Sequence, residues 1–163
     1  MFLTNRGRLF MSSLDPGVLT LLHVVRVPVE VCLLWLYFKG AVPELMTFEG
    51  RNFDILAGLS APVVYYLGYM RSNRLPKVVL LGWNFICLGL LFNIVFHGVL
   101  SVPSPFQQFG FEQPNIALLY FPFVWLPGFI VPLVLFSHLA TIRQLLVHTT
   151  GRATPAAGGP AYT

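Results

Sequence analysis

Residues 19–37, LTLLHVVRVPVEVCLLWLY, form an apolar run long enough to cross a lipid bilayer, yet they carry His23, Arg26 and Glu30 in their interior. On a helix of about 3.6 residues per turn, these three side chains lie within about 60° of one another. An ionisable side chain left unpaired in hydrocarbon is unfavourable by roughly 3 kcal/mol or more. The stripe therefore predicts a helix whose polar face is buried against other helices, and it marks a candidate functional site.

The composition as a whole is that of a membrane protein. Of the 163 residues, 56% are hydrophobic and only 10% are charged, which is far from the composition of soluble domains. The net charge of +4 does not indicate nucleic-acid binding, because the basic residues fall mainly between the apolar segments and form no patch interleaved with aromatic residues. We therefore expect membrane lipids, and no nucleic acid, among the partners.

Four apolar segments are readable in the chain, at residues 17–38, 54–70, 78–100 and 117–141. Each has the length needed to cross a hydrocarbon core of about 30 Å. The sequence thus predicts an all-α integral membrane protein, a four-transmembrane-helix bundle formed by residues 1–148 as a single domain. Residues 149–163 are a low-complexity C-terminal tail.

The basic residues between the apolar segments are distributed unequally between the two faces of this bundle. Only Lys39 and Arg51 lie on the face that follows the first span. The other face carries Arg6, Arg8, Arg71, Arg74, Lys77, Arg143 and Arg152. Because loops rich in lysine and arginine stay in the cytoplasm, we expect both termini to be cytoplasmic. The expected location is a bacterial cytoplasmic (inner) membrane.

The polar residues of the spans can be ordered by depth, at about 1.5 Å per helical residue. This count places Asn93 of the third span level with Glu30 of the first. A polar seam facing the bundle core is therefore the candidate ligand-binding site, with the residues His23, Arg26, Glu30, Tyr65, Tyr66, Asn93 and His97. A second polar cluster, in the outer loop after the first span, consists of Glu49, Arg51 and Asp54. We expect Met46 and Phe48 to anchor that loop at the membrane interface.

Two interpretations of Arg26 and Glu30 remain open. Being four residues apart, they can form an intrahelical ion pair with a purely structural role. Pro28, which lies between them, removes a backbone donor and favours a distorted helix beside a cavity. In that case Arg26 would hold the anionic or polar head of an amphipathic ligand, and Glu30 would be its counter-ion or a proton carrier.

These features favour one function over two alternatives. The leading hypothesis is that the protein binds or moves a small amphipathic or anionic molecule through the polar seam. The first alternative is an accessory or structural subunit of a larger membrane complex or of a homo-oligomer, for which Gly82 and Gly89 would provide a smooth helix face.

The second alternative is a membrane-embedded enzyme or a b-type haem protein, with His23 and His138 as axial ligands. The motifs GxSxG and GxxxxGK[ST] are absent from the sequence, and no catalytic residue can be named. We predict no metal site and no cofactor outside the haem alternative. In the last span, Pro122, Pro127 and Pro132 predict a bent helix.

Overall fold

The computed structural model describes residues 5–71 and 75–150, whose regular secondary structure is helical with no strand. Six α-helices follow one another: α1 (Asn5–Ser13), α2 (Pro16–Leu22), α3 (Arg26–Phe38), α4 (Asp54–Tyr65), α5 (Lys77–Leu100) and α6 (Val131–Thr150). Short helical turns extend them: a 3₁₀ turn at His23–Val25 joins α2 to α3, and π turns follow α4 at Tyr66–Met70 and precede α6 at Leu126–Ile130. Of the predicted tail, only residues 149 and 150 lie within the described residues.

Three of the helical segments are long and apolar enough to cross a membrane. They are Pro16–Phe38, Lys77–Leu100 and Leu126–Val147. The first and second of these coincide with the predicted spans at residues 17–38 and 78–100. Helices of this length and hydropathy are typical of an integral membrane protein.

The first span begins at a well-capped end and tightens in its middle. The Asp15 carboxylate accepts hydrogen bonds from the backbone N–H groups of Gly17 and Val18, at 2.6 and 3.1 Å, which satisfies donors that the helix leaves free. The 3₁₀ turn at His23–Val25 directly precedes the turn that contains Pro28. Proline cannot donate to the carbonyl four residues earlier, so the local tightening falls where the regular hydrogen-bond ladder is interrupted.

The second predicted span is helical over its predicted bounds, residues 54–70, which is the lower limit of a membrane-crossing length. α4 has 12 residues and its π turn has five. The helix packs closely on α3, since a Cβ atom added at Gly58 would lie 2.8 Å from Val27 Cγ2. Asp54 at its start lies beside Glu30 and Asn52, whereas α3 continues to Phe38. At about 1.5 Å per residue, α4 therefore begins roughly 12 Å short of the end of α3. Three helical segments of the described residues therefore have the length and hydropathy of a membrane span, and the helix at residues 54–70 is not among them.

The loop at residues 39–53 fills the space that α4 leaves. Met46 is only 2% exposed, and Thr47 and Asn52 are fully buried. Met46 packs with Leu33 and Leu36 of α3 in one hydrophobic cluster. The expectation that Met46 anchors the loop at the membrane interface is therefore wrong, because the side chain belongs to the bundle core.

The last span begins later than the sequence suggests. Ala117–Leu119 is an isolated 3₁₀ turn, and continuous helix starts only near Leu126 and runs to Thr150. Pro122 lies before this helix, and Pro127 lies in its first turn, where no backbone donor is required. The prediction of one bent helix over residues 117–141 is wrong in its boundaries, since the first proline ends up outside the helix.

Candidate functional site

A buried arginine connects four helices at the centre of the bundle. Arg26 is 2% exposed. Its Nη1 donates to Asp54 Oδ1 at 2.7 Å and to the carbonyl oxygen of Cys87 at 3.1 Å, and its Nη2 donates to His138 Nε2 at 2.8 Å. The residue therefore ties α3 to α4, α5 and α6 through charge-assisted hydrogen bonds, which are stronger than neutral ones.

The hydrogen bonds fix the protonation of His138. Because Arg26 can only donate, His138 Nε2 must accept, and the proton of a neutral ring then lies on Nδ1. That nitrogen is 3.0 Å from Asn84 Oδ1, while Asn84 Nδ2 donates to the Leu80 carbonyl at 2.9 Å. Each of the two side chains, the Asn84 amide and the neutral His138 imidazole, is thus held in orientation by two hydrogen bonds.

His23 stacks on His138, and this arrangement does not fit a haem. The ring centroids are 3.9 Å apart with an interplanar angle of 20°, and Ser137 Oγ lies 3.4 Å from His23 Nε2 while donating to the Leu19 carbonyl. A haem held by two axial histidines lies between their rings. Two rings in direct contact leave no space for it, and both ring nitrogens of His138 are engaged already.

Glu30 has a different partner from the one its spacing suggests. Its Oε1 accepts a hydrogen bond from Asn52 Nδ2, which also donates to the Met46 carbonyl at 3.1 Å. Asn52 Oδ1 in turn accepts from the backbone N–H of Asp54 at 3.0 Å. The salt bridge of Arg26 is with Asp54, so the intrahelical pair of Arg26 with Glu30 is replaced by two contacts that cross between elements.

A cavity of about 340 Å³ lies beside these groups. Its walls are mostly aliphatic and come from α3, α5, α6 and the segment before α6; examples are Val29, Leu33, Leu91, Ile94, Val131 and Val134. Its polar side chains are Arg26, Glu30, Asp54 and Asn115. A mostly apolar pocket of roughly 300–1,000 Å³ with a few polar groups is the usual form of a small-molecule site.

Three side-chain atoms of the cavity-lining residues have no hydrogen-bond partner within the described part of the chain. They are Glu30 Oε2, Asn115 Oδ1 and Arg26 Nε, and each is buried. Asn115 is oriented by its Nδ2, which donates to the Gly98 carbonyl at 2.9 Å. Its amide oxygen is therefore an acceptor that other protein groups leave unused.

The predicted tyrosines lie away from this cavity, at the opposite end of α4. Tyr65 packs against the start of α2, where a Cβ atom at Gly17 would be 2.9 Å from Tyr65 Cε2. Tyr66 is 56% exposed. The structure therefore does not bring them together with Arg26 and Glu30.

The remaining predicted residues belong to the contact between α5 and the first outer loop. Asn93 Nδ2 donates to the Arg51 carbonyl at 2.9 Å, and His97 Nδ1 donates to the Asn93 carbonyl at 2.8 Å. Glu49 and Arg51 are exposed, whereas Asp54 is buried against Arg26. The predicted outer-loop cluster is thus divided between the surface and the bundle core.

Sequence reasoning missed several members of the network. Asn52 lies in a loop, where helical periodicity assigns no face, and Asn115 follows a proline in a second loop. Asn84 lies nine residues before Asn93, which places the two on opposite faces of α5. The face that contains Asn84 is the buried one, and this helical spacing was the available signal. The sequence indicated His138 only as a possible haem ligand.

The comparisons with known proteins place the chain in a family without assigning its function. The chain belongs to the family described as a domain of unknown function, DUF8737, whose model matches residues 10–146. No curated protein and no solved structure matches it.

Proposed function

We propose that this protein binds a small amphipathic molecule within its helix bundle, with the apolar part in the aliphatic cavity and the polar end at Glu30. The observation that carries the proposal is the position of the 340 Å³ cavity, which has aliphatic walls but includes Glu30, Asp54 and Arg26 in its lining. Apolar pockets with a few convergent polar groups are the usual small-molecule sites. The inward stripe of α3 thus supplies the polar end of a binding site.

The unpaired atoms support a ligand over a network with only a structural role. Buried polar atoms in folded proteins nearly always have hydrogen-bond partners, and a structural network is expected to satisfy its own members. Here Glu30 Oε2 and Asn115 Oδ1 have none among the described residues, and both residues line the cavity. A bound molecule that donates hydrogen bonds would satisfy them.

The same proposal includes the orientation in the membrane. α4 and the partly buried loop at residues 39–53 together act as the fourth crossing, so that both termini lie on the cytoplasmic side. Irregular backbone at membrane depth is tolerated where it is buried in protein, and the buried side chains of this loop meet that condition. The excess of basic residues near the termini and before α5 supports this orientation.

Decanol, a neutral amphiphile, is a suitable probe for the cavity. In zwitterionic-lipid nanodiscs, we expect it to raise the unfolding temperature in a saturable manner, because a ligand of the folded state stabilises it. Val131→Phe fills part of the cavity and should abolish the saturable rise. Val31→Phe makes the same substitution at a site that is 57% exposed on α3, and it should leave the rise intact.

The two phenylalanine variants also provide the result that would overturn the proposal. Partitioning of decanol into lipid affects both variants equally, so only the difference between them reports on the cavity. If the wild-type protein shows no saturable response, or if Val131→Phe responds as Val31→Phe does, the cavity is not a binding site.

A further inference from the structure

We infer that the ligand of this cavity is an amphipathic amine, whose protonated nitrogen donates to Glu30. This inference deepens the proposed function and rests on it. The charges that line the cavity and the hydrogen bonds already made by each of them carry the argument.

The cavity has an excess of negative charge. Its charged lining residues are Arg26, Glu30 and Asp54, that is, two carboxylates and one guanidinium. Arg26 pairs with Asp54 at 2.7 Å, so Glu30 is the cavity carboxylate that has no salt bridge to any of the residues that the structure describes. A buried carboxylate in that position either takes up a proton or pairs with a cation, because an isolated buried charge is strongly unfavourable.

Arg26 has little left to offer an anion, which changes the expectation drawn from its sequence position. Its Nη1 donates to Asp54 and to the Cys87 carbonyl, and its Nη2 donates to His138. Within the described residues the Nε–H has no hydrogen-bond partner, and it belongs to a guanidinium whose charge Asp54 already balances. An anionic head would therefore face Glu30 with little compensation.

Two side-chain oxygens of the cavity lining are free to accept hydrogen bonds from a ligand. Asn115 Oδ1 is an acceptor without a partner among the described residues, and so is Glu30 Oε2 when the carboxyl group is ionised. A protonated amine brings both a positive charge and N–H donors, and charge-assisted hydrogen bonds are roughly twice as strong as neutral ones. A carboxylate or a fully ionised phosphate head brings neither.

The cavity walls also distinguish between kinds of cation. Within the described residues, its lining includes no Phe, Tyr or Trp side chain. Quaternary ammonium groups are recognised by aromatic faces and carry no N–H donor. The site is therefore suited to a primary or secondary amine and not to a quaternary one.

Four probes with the same ten-carbon chain test this assignment: decylamine, decanol, decanoic acid and decyltrimethylammonium. Each is titrated into the unmodified protein in zwitterionic nanodiscs, and the response of Val131→Phe is subtracted to remove lipid partitioning. We expect decylamine to bind roughly ten-fold more tightly than decanol, in line with one added charge-assisted hydrogen bond. Decanoic acid and decyltrimethylammonium should bind more weakly than decanol.

Glu30→Gln identifies the residue responsible. It keeps the shape of the side chain and an oxygen that can accept from Asn52, but removes the charge. The amine should then lose its advantage, so that decylamine and decanol bind within roughly three-fold of each other. Glu112→Gln removes a carboxylate on the exposed outer loop and should leave the ten-fold preference unchanged, as the matched control.

The outcomes separate this inference from the proposed function. If decanol responds to Val131→Phe but the amine binds no better, or decanoic acid binds best, the cavity is a binding site and the amine assignment is wrong. If no probe responds to Val131→Phe, both fail together. The ranking of the four probes uses the unmodified protein, so it decides the question even if Glu30→Gln does not fold.

Discussion

The partner of Arg26 can be tested by a double-mutant cycle. Arg26→Met removes a guanidinium that bonds to Asp54, to the Cys87 carbonyl and to His138. Breaking one side of a buried ion pair is destabilising by about 3–5 kcal/mol, because the other charge stays buried and unpaired. We expect that loss for Arg26→Met, and a similar loss for Asp54→Asn.

The double variant should be less damaged than the sum of the two single variants. With both charges removed, neither is left uncompensated, and close charge pairs at a protein interface show coupling energies of about 1.5–7 kcal/mol. We expect a coupling of about 2–4 kcal/mol between Arg26 and Asp54, since Arg26 keeps two further hydrogen bonds that do not depend on Asp54. The matched cycle with Glu30→Gln should give less than about 1 kcal/mol, because Glu30 bonds to Asn52 instead.

Reversible unfolding in mixed micelles, titrated with a denaturing detergent, measures these free energies. Tryptophan fluorescence is a suitable signal, because the ring of Trp83 lies 5.5 Å from that of His23, next to the network. A coupling of Arg26 to Glu30 equal to or larger than its coupling to Asp54 would refute the arrangement and restore the intrahelical pair.

Four further predictions concern hydrogen bonding, packing and orientation. Asn52→Leu should lower the free energy of unfolding by about 2–4 kcal/mol in the same titration, since three hydrogen bonds at about 0.5–1.5 kcal/mol each are lost. Gly58→Ala should be destabilising by about 1–3 kcal/mol, because the added methyl would lie 2.8 Å from a side-chain carbon of α3. Gly89→Ala, where nothing lies within 4 Å, should instead stabilise α5 by about 0.5–1 kcal/mol. In a chain whose two native cysteines are replaced by alanine, Lys39→Cys should react with an impermeant maleimide on intact cells, and Arg71→Cys only after permeabilisation.

The buried stripe of the first span was predictable because it depends on local sequence. Periodicity alone places His23, Arg26 and Glu30 on one side, and all three are at most 2% exposed. What periodicity does not specify is the partner across the bundle. Asp54 follows Arg26 by 28 residues, so their pairing depends on where α4 begins, and that is set by the loop before it.

The glycines of α5 illustrate the same limit. Gly82 and Gly89 are spaced for a smooth helix face, but a Cβ atom at either would meet nothing within 4 Å in the described chain. The close approach of helices occurs at Gly58 on α4 instead, where the sequence shows a single glycine among apolar residues. Spacing indicates that a close contact is possible, whereas the partner helix decides which glycine makes it.

Because α4 begins short of the end of α3, a charged group and an apolar cavity occur side by side. If α4 continued to the level of Phe38, helical side chains would pack where the loop at residues 39–53 now lies. Instead the loop places the Asn52 amide against Glu30, and the start of α4 places Asp54 against Arg26. Two carboxylates thereby meet one guanidinium at the lining of an aliphatic cavity. The excess negative charge that favours an amine is thus a consequence of how the loop and α4 divide one layer of the bundle.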